Sequence, residues 1–156
     1  MAILFSEEGL ADRTLFYATD INLESLRKAE AAVYGLDRTA DFSRNYLASG
    51  GRASLSDYYV AAYGGTAFGR SLGCQVVFAD HSLATDNVFS EVHFVSCRNV
   101  LIYFDKALQN RALALFRDAL PAGGYLGLGS KESILFSDHA SAFSEVVRGS
   151  RLYRRQ

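Results

Sequence analysis

Residues 92–129 read VHFVSCRNVLIYFDKALQNRALALFRDALPAGGYLGLG, and this stretch decides the fold. Val92 to Cys97 is a short apolar, β-prone run of the kind buried on both faces of a parallel sheet. From Lys106 to Leu120, Leu108, Ala112, Leu115, Phe116 and Ala119 recur at helical spacing. Lys106, Asn110, Arg111, Arg117 and Asp118 occupy the opposite face. Pro121-Ala-Gly-Gly124 stops that helix, and Tyr125 to Gly129 starts another strand. Strand, helix and strand in this order form a βαβ unit.

The same alternation extends outward. Thr14 to Thr19 predicts a buried strand ending at Asp20. Asn22 is a residue type that caps helix N-termini, and Leu23, Leu26, Ala29 or Glu30, and Val33 follow it at helical spacing. Gln75 to Ala79 predicts a further strand. The run from Phe143 to Arg155 reads as two strands joined at Gly149-Ser150. Between Leu36 and Arg70 the aromatics Phe42, Tyr46, Tyr58, Tyr59 and Tyr63 show no regular period, and short helices and loops are expected there. The Ser/Gly-rich residues 49–56 read as a loop inside one pattern. The fold class is therefore α/β, a mostly parallel sheet with an antiparallel edge, in a single domain over residues 1–156.

Composition narrows the function. Hydrophobic residues make up 49% and charged residues 21% of 156, which excludes disordered, collagen-like and coiled-coil chains. No apolar run reaches the ~18 residues of a membrane helix, and no membrane insertion is expected. The first residues turn charged too soon for a secretory signal. Cys74 and Cys97 show neither metal-ligand nor disulfide spacing, and a reducing cytoplasm is the expected location. A net charge of −1 argues against a nucleic-acid partner, because phosphate binding relies on Lys and Arg.

Ligands of open parallel sheets bind beyond the carboxyl ends of the strands. The residues there are Asp20, His81-Ser82-Leu83, Arg98-Asn99 and Gly129-Ser-Lys-Glu132. An acid such as Asp20 can accept from both hydroxyls of a ribose, as in Rossmann-type nucleotide sites. Arg98 can orient a carboxylate through paired hydrogen bonds, and Tyr103 can donate one from an apolar wall. His81, His93 and His139 are not spaced as metal ligands, and no metal is expected. His93 reads as a packed or edge histidine, Cys97 as a small hydrophobe, and Lys131-Glu132 as a solvated pair. The glycine-rich loop expected about 20 residues before such an acid does not precede Asp20, so the chain is expected to begin inside its own nucleotide-binding unit.

Cys97-Arg-Asn-Val-Leu-Ile-Tyr-Phe-Asp105, with Pro121-Ala-Gly-Gly-Tyr-Leu-Gly-Leu-Gly129, Ser130-Lys-Glu-Ser133, Tyr17-Ala-Thr-Asp-Ile21 and His81-Ser-Leu83, resembles the CheR family over nearly the whole chain. These are S-adenosylmethionine-dependent methyltransferases that methylate glutamate side chains of bacterial chemotaxis receptors. The resemblance implies a Rossmann-like methyltransferase sheet lacking its first strand and glycine-rich loop. It implies that Asp20 binds the cofactor ribose, that Ser82 and Leu83 lie beside the adenine, and that Arg98 and Asn99 approach the methionine end. Arg98 and Tyr103 would form the methyl-transfer site, with S-adenosylhomocysteine as product. Departures from the family pattern are Ser82 in place of Asn, His93 in place of Asp, and the missing helical N-terminal domain. The small β-subdomain by which some members grip a receptor tail is not evident between Phe42 and Ser71. The implied partner is a chemoreceptor or another signalling protein. Exposed sheet edge predicts a homodimer. The alternative is a non-catalytic methyltransferase remnant acting as a protein-interaction module; methylation of RNA or a small molecule is a third reading.

Overall fold

In the computed structural model, which describes residues 1–69 and 73–156, the chain divides into two compact units, Met1–His81 and Ser82–Gln156. In the first unit, helix α1 (Ala2–Glu7) precedes strand β1 (Leu15–Asp20). Asn22 caps helix α2 (Leu23–Ala31) as its residue type dictates, accepting from the backbone N–H groups of Glu24 at 2.9 Å and Ser25 at 3.2 Å. Ala32 ends the helix in the left-handed region, at φ 53°. Strand β2 (Val33–Gly35), helix α3 (Thr39–Ala48), strands β3 (Tyr59–Ala62) and β4 (Gly65–Phe68), and strand β5 (Gln75–Asp80) complete the unit.

Strands β1 and β5 pair in parallel from Leu15 opposite Gln75 to Asp20 opposite Asp80. Strands β2, β4 and β3 form a separate antiparallel sheet in that order. Short helices do occur between Leu36 and Arg70 as expected, α3 among them; what the sheet corrects is the expectation that no small β-subdomain is evident there. Its strands are three to four residues long and lack apolar alternation, so their sequence carries little strand signal. What makes them a sheet is a two-residue turn, Tyr63-Gly64, with φ of 51° and 77°. Both residues at positive φ match the hairpin turn whose twist suits antiparallel strands. Tyr34 and Tyr59 then pack edge-on or tilted against Phe68, and Phe42 against Tyr34. Arg70 and Ser71, at the end of the region read as irregular, lie outside the described residues.

The second unit carries strand β6 (Phe94–Cys97), helix α4 (Lys106–Ala119), and strands β7 (Tyr125–Leu128), β8 (Phe143–Glu145) and β9 (Leu152–Arg155). Its sheet order is β6-β7-β9-β8, with β6 and β7 parallel and the other pairs antiparallel. The βαβ unit and the antiparallel edge thus stand as expected. Across the described residues, however, antiparallel pairings outnumber parallel ones, because the small sheet of the first unit adds two. Asp105 caps α4, its carboxylate accepting from the Leu108 N–H at 2.8 Å. The helix buries Ala112, Leu113 and Phe116, so Leu113 rather than Leu115 is central to the apolar face. They pack with Leu101, Leu120, Leu126, Leu128, Ile134, Phe143 and Tyr153 into one core.

Candidate active site

The sequence-predicted residues fall in both units. Asp20, in the first, ends β1 and is exposed. One carboxylate oxygen accepts from the Asn22 N–H at 2.8 Å, which orients the group; the other has no partner among the described residues. That free acceptor at a strand's carboxyl end suits the vicinal hydroxyls of a ribose. Asp80 stands in register beside it on β5, a second carboxylate that the sequence reading did not single out.

In the second unit, Ser82 shapes the loop it sits in. Its hydroxyl oxygen accepts from the N–H groups of Ala84 and Thr85, each at 3.3 Å, and its own N–H donates to the Asp86 carboxylate at 2.9 Å. The hydroxyl proton stays available to a ligand. Leu83 is half-buried and packs against the core.

Arg98, Asn99 and Tyr103 share one segment, which leaves β6 and runs through a short 3-10 turn, Leu101–Tyr103, to α4. All three are exposed, Tyr103 to 81%. The side chains of Arg98 and Tyr103 form no hydrogen bond or ion pair among the described residues. Their backbone is another matter. Glu132, 4% exposed, turns its carboxylate onto this segment. One oxygen accepts from the N–H groups of Val100 at 2.8 Å and Leu101 at 2.7 Å. The other accepts from Asn99 at 2.9 Å and Gly129 at 2.6 Å. Asn99 is held there at φ 60°, in the left-handed region that asparagine tolerates better than most residues. Gly129 is required by space. A Cβ on it would lie 2.6 Å from both the Asn99 side-chain oxygen and Glu132, and 2.9 Å from the Asn99 nitrogen. On the far side of the segment, the Gln109 side-chain amide donates to the carbonyls of Leu101 and Phe104, both at 3.0 Å.

Glu132 therefore corrects the reading of Lys131-Glu132 as a solvated pair; only Lys131 is exposed. A buried carboxylate is tolerated when its oxygens are fully hydrogen-bonded, and four backbone donors accomplish that. Cys97 behaves as read. It is buried, and burial together with the nearby Glu132 charge pushes its thiol up to about 12, which removes it as a nucleophile. His93 lies exposed just before β6. Among the described residues, no three His, Cys, Asp or Glu side chains are grouped to hold a metal ion.

The family model described as CheR methyltransferase, SAM binding domain matches residues 1–149. The chain belongs to the CheR methyltransferase family. It is 52% identical over 155 residues to a protein of Pseudomonas putida provisionally named methyltransferase Cher3, covering 99% of this chain and 57% of that one. It is 29% identical over 138 residues to the chemotaxis protein methyltransferase of Salmonella typhimurium, covering 85% of this chain and 42% of that protein. This CheR chain thus spans about half the length of these two relatives. Membership in the family implies use of S-adenosylmethionine. No helix among the described residues is long and apolar enough to cross a membrane.

Proposed function

We propose that this chain carries S-adenosylmethionine-dependent methyl transfer to glutamate carboxylates of a chemoreceptor or related signalling protein, in the cytoplasm. The observation that carries the reading is the segment after β6, whose backbone is fixed by Glu132 and Gln109 while Arg98 and Tyr103 are exposed and, among the described residues, unpaired. Asp20 holds the ribose through its free oxygen, and Ser82 with Leu83 borders the adenine. Arg98 and Asn99 bind the methionine end. When bound, the cofactor would supply an electrophilic sulfonium methyl: an acceptor carboxylate oxygen would bond to that carbon as its bond to sulfur breaks, and the thioether S-adenosylhomocysteine would leave.

A carboxylate is already nucleophilic near neutral pH, so no strong base is needed. Arg98 orients the incoming carboxylate through paired hydrogen bonds, and the Tyr103 hydroxyl donates to it. Positioning is the main contribution asked of these residues. The antiparallel sheet of β2, β4 and β3 supports a protein substrate, since a small β-subdomain is what some family members use to grip a receptor tail. A homodimer formed through β1 belongs to the same reading, because β1 pairs only with β5 among the described residues.

Calorimetric titration of the 156-residue chain with S-adenosylhomocysteine tests the assignment. Wild-type binding in the micromolar range is expected. Asp20→Ala weakens it about tenfold or more, because losing a charged hydrogen-bond partner costs about 1.5–3 kcal/mol. A folded wild-type chain without affinity would overturn the reading.

A further inference from the structure

Glu132 takes no part in the chemistry proposed above, yet it is the most heavily hydrogen-bonded side chain of the segment's surroundings. All four of its partners are backbone N–H groups, and no cation pairs with it among the described residues. Apolar packing alone could bury this turn. A carboxylate placed on backbone donors does something packing does not: it fixes the path of the main chain while leaving the side chains of Arg98 and Tyr103 unengaged among the described residues. Gln109 does the same from the other side through carbonyl oxygens. Between the two lie Asn99, in a backbone conformation few residues adopt without support, and the free side chains of Arg98 and Tyr103.

We propose that Glu132, assisted by Gln109, is a positioning residue of the transfer site. It clamps the backbone of Asn99 to Leu101 so that Arg98, Asn99 and Tyr103 are presented to cofactor and acceptor carboxylate in one arrangement. This inference rests on the functional reading above. It adds a residue that acts through the others and touches neither reactant.

The test compares wild type, Glu132→Gln and Leu126→Ala in the 156-residue chain. Glutamine keeps the shape of glutamate but turns an NH2 toward donors that need an acceptor. Leu126→Ala removes a fully buried core side chain of the same unit and serves as the measure of simple destabilisation. Two quantities are read on folded samples: affinity for S-adenosylhomocysteine, and amide hydrogen exchange residue by residue. Glu132→Gln is expected to weaken affinity about tenfold or more. Its Asn99, Val100 and Leu101 amides exchange about tenfold faster or more, with the Tyr125 amide unchanged. Leu126→Ala keeps affinity within about twofold at temperatures where it is folded, a separation that a purely structural role would not produce. Equal affinity, or equal exchange at those three amides, in folded Glu132→Gln overturns the proposal. If Glu132→Gln does not fold, Gln109→Met takes its place, read at the Tyr103 and Phe104 amides. A wild-type chain that binds no S-adenosylhomocysteine overturns the functional reading instead, and exchange then decides the clamp alone.

Discussion

Gly129 shows how little room the segment after β6 leaves. Alanine there would drive its Cβ into a backbone nitrogen and into the carboxylate that organises the turn, all within 3 Å. Overpacking of this kind costs about 1–3 kcal/mol. Gly129→Ala is expected to lower the urea midpoint of unfolding accordingly, whereas Gly149→Ala, with nothing near its missing Cβ, pays only for its positive φ. At this scale the sequence was a partial guide. The position of Arg98, Asn99 and Tyr103 after a strand's carboxyl end, where ligands bind, was legible, and the structure has them in the segment that follows β6. Glu132 was not, because Gly129-Ser-Lys-Glu132 looks like any polar loop and only the fold brings its carboxylate to N–H groups some thirty positions earlier in the chain.

At the scale of elements, α1 is fastened to the region around α3 by one carboxylate. Glu7 accepts from the hydroxyls of Tyr46 and Tyr58, and Arg52 adds an ion pair to Glu8 at 2.7 Å. The two tyrosines hold Glu7 below the usual carboxylate range, with smaller contributions from Arg52. The stabilisation is therefore present above about pH 4, where a free carboxylate ionises, and is lost as pH falls through the lower value of the folded state. The Tyr58 phenol is pushed up, chiefly by its hydrogen bond to Glu7, so its contribution is present below about pH 10 and is lost as pH rises. Thermal melting of Glu7→Gln across the pH range is expected to show a flatter profile than wild type at the acid end. An unchanged acid limb would show that this cluster does not set it. The elements themselves divide by the strength of their local signals. Helix α2 announced its start through Asn22, and α4 its extent through apolar spacing and Pro121. The hairpin of β3 and β4 had only the pair Gly64-Gly65 to mark it, since a tyrosine at positive φ beside it is not a turn signature.

For the whole molecule, the sequence foresaw alternating strands and helices but not the small sheet that interrupts the βαβ pattern of Met1–His81. Leu15, Tyr17, Val76 and Val77 on the β1–β5 pair are exposed, as apolar strand residues of a two-stranded sheet are. Light scattering is expected to show mass rising towards twice that of the chain with concentration; a constant monomer at high concentration would remove the homodimer from the reading. The units also differ in what holds them. Ser82–Gln156 has a contiguous apolar core, whereas the buried apolar side chains of Met1–His81 are Leu26 and Leu55 among the described residues. Heat capacity of unfolding follows the apolar surface uncovered, so most of its increment belongs to the second unit. Cooling weakens that kind of stabilisation first. The stability of the unit that carries Arg98 and Tyr103 therefore bends more steeply with temperature than that of the unit that carries Asp20, and cooling takes more from it.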